Sequence, residues 1–189
     1  MKTYTSGLFL FLLAVVAGTF MACDSDSGGG EEGVGPPENI TRLEITLATS
    51  GGAPIGTFTA SDEGSGFQAE RITLMSGVSY VGTIDIFDDT IVSAPDRNIT
   101  DEIRDEQDAH RFFFSYAADE GAAGRVMAVA TDLDNNNQPV GLEFRLAVTQ
   151  GGVAAGNLTV VLSHFGAQPK SSSPGGLTDV EVSFPIIVQ

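Results

Sequence analysis

Basic residues are scarce in this 189-residue chain: nine lysines and arginines face 25 aspartates and glutamates, for a formal net charge of −16. Nucleic acid and anionic membrane surfaces are thereby excluded as electrostatic partners, because the long-range field would repel both. Cations remain natural partners. Cysteine is scarcer still, with Cys23 standing alone, so no disulfide and no multi-cysteine metal cluster forms within the chain. The histidines number only two, His110 and His164. Helical periodicity is confined to one short stretch, which argues against a parallel α/β sheet with a helix between successive strands. The sequence lacks G-x-S-x-G, H-E-x-x-H and the glycine patterns that cradle phosphates. Ser163 and His164 are neighbours in a strand pattern, so they point to opposite faces and cannot pair as nucleophile and base. A non-enzymatic protein is the expectation.

The opening MKTYTSGLFLFLLAVVAGTFMAC places Lys2 before an apolar run from Leu8 to Phe20. That run is too short for a bilayer span, which needs about 20 apolar residues. Phe20-Met21-Ala22-Cys23 resembles the lipobox of bacterial lipoproteins, with Phe20 in place of the usual leucine. The resemblance implies a signal peptide over residues 1–22 and a lipid anchor on Cys23, hence a membrane partner reached through lipid. The expected location is the cell envelope, at the outer membrane, facing the periplasm or the surface. Residues 23–39 combine glycine and acid with almost nothing apolar, the composition of a flexible tether. Residues 40–189 are long enough for one domain with its own core.

Within that domain, apolar residues alternate in twos, the signature of half-buried strands. Ile45 and Leu47, Ile72 and Leu74, and Ile84 and Ile86 follow it, as do Val126, Ala128 and Ala130. The same spacing recurs at Leu142, Phe144, Leu146 and Val148, then at Leu158, Val160 and Leu162, and at Val180, Val182 and Phe184. Breaks rich in Gly, Asn and Pro separate these runs. The pattern predicts an all-β fold: an antiparallel immunoglobulin-like β-sandwich of about nine strands with one short acidic helix. The helix is expected within TDEIRDEQDAH, with Thr100 as its cap and Ile99 and Ile103 anchoring it. Phe112, Phe114 and Tyr116 should share one strand face. Because successive antiparallel strands reverse direction, His110, the loop DLDNNNQP and His164 should meet at one end of the sandwich.

Two constellations there suit a divalent cation. Glu102, Glu106 and His110 are spaced four apart and would stack on one helical face, with His164 approaching from the same rim. Mixed nitrogen and oxygen ligands favour zinc. Asp132, Asp134, Asn136, the carbonyl of Gln138 and Glu143 follow the spacing of a calcium loop, with Asn137 where glycine is usual. Flanking strands, Pro139 and an outward Glu143 beside Arg145 speak for a plain polar turn instead. A solvated acidic helix is the corresponding alternative for the first set.

The lipobox, ITDEIRDEQDAHRFFF, DLDNNNQPVGL and the late VVLSHF together resemble a family of small envelope lipoproteins of Bacteroidota and relatives. Its members carry I-T-E-E-I-x-E-E-x-x-E-H-Q-F-F-F, a D-x-D-x-N-G-x-P-x-G-L turn and a late strand ending in L-R-H. His110 and His164 occupy the histidine positions, while Arg111, Asn137 and Ser163 depart from the pattern. The resemblance implies a neighbouring outer-membrane uptake receptor as partner. A type 1 periplasmic-binding fold, the label often attached to the family, implies two α/β lobes. The chain is too short for those, so the sandwich remains the expectation.

Overall fold

The computed structural model describes residues 38–119 and 125–189. The expected signal peptide, Cys23 and the tether up to residue 37 lie outside the described residues. Ten strands form two sheets packed face to face. In chain order they are β1 (Arg42–Thr49), β2 (Pro54–Asp62), β3 (Phe67–Ala69), β4 (Ile72–Leu74), β5 (Ser79–Phe87), β6 (His110–Ala118), β7 (Val126–Ala130), β8 (Glu143–Val148), β9 (Ala154–His164) and β10 (Leu177–Val188). One sheet has six strands in the order β3-β2-β1-β5-β8-β7; the other has four, β4-β10-β9-β6. All pairings are antiparallel except β10 with β4. The all-β sandwich read from the alternation is the fold, with ten strands where about nine were expected.

The core is the sum of the alternating positions. Leu43, Ile45 and Leu47 of β1, Ile84 and Ile86 of β5, and Phe144 and Leu146 of β8 project from the six-stranded sheet. Leu158, Val160 and Leu162 of β9, with Val180, Val182 and Phe184 of β10, meet them from the other. Each is essentially excluded from water, a gain of about 1.5–3 kcal/mol per large side chain. Phe112 is buried, and Phe114 and Tyr116 pack against the same core, as the strand period requires. Gly82 of β5 stands opposite Phe144; a Cβ there would lie 2.3 Å from the phenyl ring. The missing side chain is the space the ring occupies.

The helix, α1, spans Thr100–Asp105 and is shorter than the sequence period suggested. Ile99 and Ile103 anchor it, as expected from their spacing. Thr100 does not cap it. Its side chain is buried, and its Oγ1 accepts from the backbone N–H of Ile86 at 2.9 Å, tying the helix start to β5. Ile99 takes the capping position without a side-chain bond. Residues 106–109 form turns, and His110 already belongs to β6. Strand pairing decides this boundary, because β6 is hydrogen-bonded to β9 from its first residue onward.

Candidate metal centre

Two strand ends bring the histidines together. His110 opens β6, His164 closes β9, and the antiparallel register sets them directly opposite each other. Both share the inward face of their strands with Phe112 and Leu162, two residues further in. Their ring centroids lie 4.2 Å apart at 36°. His110 is wholly buried and His164 nearly so. The convergence expected from strand direction is therefore present, at the end of the sandwich that also carries the 132–139 loop. Asn135 of that loop donates its backbone N–H to Asp108, two residues before His110, at 3.1 Å.

Two carboxylates complete the group, and neither was among the residues singled out from the sequence. Asp179 lies in β10, where the pairing with β9 slips between Thr178 and Val180. Strict alternation would turn Asp179 outward, since Val180 faces the core. The bulge turns it inward instead, with its side chain at zero exposure and Oδ2 3.6 Å from His110 Nε2. Glu38 precedes β1. Its Oε1 lies 3.1 Å from His110 Nε2 and its Oε2 3.7 Å from His164 Nδ1. The tether expected over 23–39 thus runs too far: Glu38 is in the site, and Asn39 donates from its side chain to Thr90 Oγ1. Nothing in DSDSGGGEEGVGPPEN sets Glu38 apart from its acidic neighbours, and nothing in LTDVEV announces the bulge.

One candidate ligand atom from each of Glu38, His110, His164 and Asp179 lies within 4.8 Å of all the others. Five of the atoms facing this centre are buried without a hydrogen-bond partner: Glu38 Oε2, His110 Nε2, His164 Nδ1 and both carboxylate oxygens of Asp179. His110 Nδ1 sits 3.2 Å from the backbone carbonyl of Glu106. Donation of an Nδ1 proton to that carbonyl leaves the lone pair of Nε2 aimed at the carboxylates. A metal-ligating histidine is commonly oriented in this way.

The electrostatics of the cluster are conflicted. Burial, reinforced by the negative charge of Glu38, pushes the Asp179 carboxyl up to about 7. Burial also works against ionisation of Glu38, but hydrogen bonding and charge from His110 outweigh it and hold Glu38 below the usual carboxylate range. His110 shows the mirror image: burial opposes its charged form, and contact with Glu38 raises it nonetheless. His164 is lowered by burial and by the charge on His110. Two carboxylates and two imidazoles in dry surroundings can be balanced by shared protons or by one divalent cation.

The remaining sequence candidates are placed otherwise. Glu106 caps the C-terminal end of α1 with its carboxylate largely exposed and 4.0 Å from His110 Nδ1; its carbonyl makes the closer contact. Glu102 is exposed on the helix and outside the group. The expected helical face of Glu102, Glu106 and His110 does not form, because the helix ends before His110. In the calcium-like loop, Asp134 Oδ1 accepts from the N–H groups of Asn136 and Gln138, and its Oδ2 lies 2.8 Å from Lys170 Nζ. Asp132 accepts from Gly141 and Leu142. Asn137 takes a left-handed φ of 59°, the conformation expected where glycine is usual. Glu143 is exposed on the outer face, two residues from the likewise exposed Arg145. The loop's carboxylates are committed to backbone N–H groups, and an ammonium holds the place a cation would take.

Neither a family model nor a curated protein nor a solved structure matches this chain. No helix among the described residues is long and apolar enough to cross a membrane.

Proposed function

We propose that this protein is a non-enzymatic, metal-binding β-sandwich of the cell envelope, holding one zinc ion through Glu38, His110, His164 and Asp179. The observation that carries the reading is the convergence of four buried side chains whose nitrogen and oxygen atoms face one another within 4.8 Å, five of them without a well-formed hydrogen bond. Native structures rarely leave even one such atom without a partner. His110 Nε2 lies 3.1 Å from Glu38 Oε1 and 3.6 Å from Asp179 Oδ2, close to the edge of about 3.3 Å of a tetrahedron built on zinc bonds of about 2.05 Å, and the full set, within 4.8 Å, would draw in around the ion. Two imidazoles with two carboxylates suit zinc, whereas calcium takes six to eight oxygens. Two negative carboxylates and a dication also cancel. Four protein ligands fill the coordination shell, which favours a metal that serves the fold over one that serves a reaction.

The address and partner rest on the sequence. The lipobox-like FMAC supports a lipid anchor at Cys23, and the resemblance to small Bacteroidota lipoproteins supports a place beside an outer-membrane receptor. Elemental analysis of the purified protein and zinc calorimetry test the metal. One zinc per chain is expected, bound far tighter than calcium, with binding lost when both His110 and His164 are replaced by alanine. If wild-type protein carries no zinc and takes none up, the cluster is a proton-sharing group and the metal reading is wrong.

A further inference from the structure

The four residues do not belong to one sheet. His110, His164 and Asp179 come from β6, β9 and β10 of the four-stranded sheet, whereas Glu38 leads into β1 at the middle of the six-stranded one. Three ligands are held by continuous hydrogen-bonded pairing, His110 and His164 in direct register and Asp179 by the bulge beside them. Among the described residues, the fourth has no strand pairing of its own and is held through its side-chain contacts with His110 and His164. Around Glu38 the entry segment makes a tight turn from Ile40 N to Glu38 O at 3.1 Å, and the Asn39 side chain reaches Thr90. The first bond between the entry segment and the sheet is from Thr41 N–H to Phe87 O, 2.9 Å long.

This asymmetry has a mechanical meaning. A rigid three-ligand set with a fourth position filled from a segment outside the strand ladder is a closed site when that segment is docked. It becomes a site with one open position when the segment leaves. Building on the zinc reading above, we propose that the metal is a clasp: Glu38, closing the coordination shell, fastens the N-terminal entry segment across the gap between the sheets. Metal occupancy then sets how firmly residues 38–41 are held at the rim beside the 132–139 loop. With zinc bound, Glu38 is tied to all three strands that carry the other ligands. Without it, Glu38 keeps its contact with His110 but loses the metal bond, and the segment opens more readily as far as the first ladder bonds of β1. For a protein expected to hang from Cys23, fifteen residues upstream, the clasp sets both the reach of the domain and the route by which pulling force enters it. Force applied to the N-terminal side would load the Glu38–metal bond before it reaches the hydrogen bonds of β1.

Amide hydrogen exchange on the full chain, with zinc or with chelator, tests this, alongside a Glu38→Gln variant and a zinc titration of both proteins. Opening of the entry segment requires release of Glu38 from the metal. At free zinc a hundred times the dissociation constant, exchange at the Thr41 amide should slow by up to about 100-fold. The Val160 amide, in the middle of β9, should not respond to the same degree and serves as the reference. E38Q should still bind zinc, more weakly, through the three remaining ligands, and its Thr41 amide should show no protection by zinc. If wild-type protein binds zinc and Thr41 is unaffected, or is protected equally in E38Q, the clasp is overturned while the metal site stands. If E38Q loses zinc binding altogether, Glu38 is not a detachable fourth ligand and the clasp is likewise overturned. If wild-type protein binds no zinc, the site reading fails and the clasp fails with it.

Discussion

Asp179 carries the sharpest consequence of any single residue. Burial and the charge of Glu38 push its carboxyl up to about 7, so in the metal-free protein near neutral pH it is protonated in a large fraction of molecules. Asparagine imitates that neutral form in shape and polarity. Asp179→Asn should therefore leave the melting temperature in chelator within a few degrees of wild type while weakening zinc binding by at least about 10-fold, as measured by calorimetry; loss of an orienting partner alone costs that much. Protons compete for the same ligand. The raised Asp179 and the raised His110 must both lose their protons before they coordinate. Apparent zinc affinity should fall as pH drops from 8 to 6, and a flat profile in a zinc titration over that range would contradict the assignment. The two histidines were legible from the alternation, because period two and strand direction together determine which end of a sandwich a residue reaches. Asp179 was not, since a bulge adds one residue to the count and reverses the face, and no residue in LTDVEV marks it.

Among the elements, the loop between β7 and β8 carries the most testable structure. Lys170 and Asp134 form an ion pair with both side chains almost completely buried. Burial works to raise the Asp134 carboxyl, but the Lys170 contact and the N–H groups of Gln138 and Asn136 prevail and hold it below the usual carboxylate range. A depressed folded-state pKa contributes stability above the unfolded value and loses it as pH falls through the folded one. The loop's contribution should be complete at pH 6 and fade below about pH 4, visible as a steeper acid limb in a denaturation series. Lys170→Met leaves Asp134 buried and unpaired, at a cost of about 3 kcal/mol. Urea unfolding would measure it, and the variant should lose most of that acid sensitivity. In β5, Gly82→Ala would drive a methyl group into the Phe144 ring, overpacking the core by about 1–3 kcal/mol. The calcium spacing misled at this scale because turn-forming aspartates and calcium-binding ones are the same residues. Only the position of Lys170, about thirty residues further on, separates the two.

At the scale of the whole molecule, a metal held by these four residues would link β6, β9 and β10 to the segment that leads into β1. Zinc at a hundredfold excess over its dissociation constant should add about 2.7 kcal/mol to the folded state. In a chain of this length that corresponds to a rise in melting temperature of about 5–10 °C in a thermal scan. Calcium at the same concentration should leave the midpoint unchanged. The net charge of −16 gives the same experiment a control: sodium chloride screens the general repulsion and should stabilise wild type and the His110/His164 double alanine variant alike. Zinc should distinguish them.

By itself the sequence determined the class of fold, the alternating positions that make up much of the core, the strand face of Phe112 and the meeting of His110 and His164 at one rim. Each follows from a local period, and local periods are printed in the order of residues. Tertiary structure alone decided that α1 stops before His110, that Asp179 turns inward and that Glu38 belongs to the site. These depend on which strand pairs with which and in what register, and on how the entry segment crosses from one sheet to the other. TDEIRDEQDAHRFFF supplies one member of the cluster, and the other three arrive from positions 38, 164 and 179.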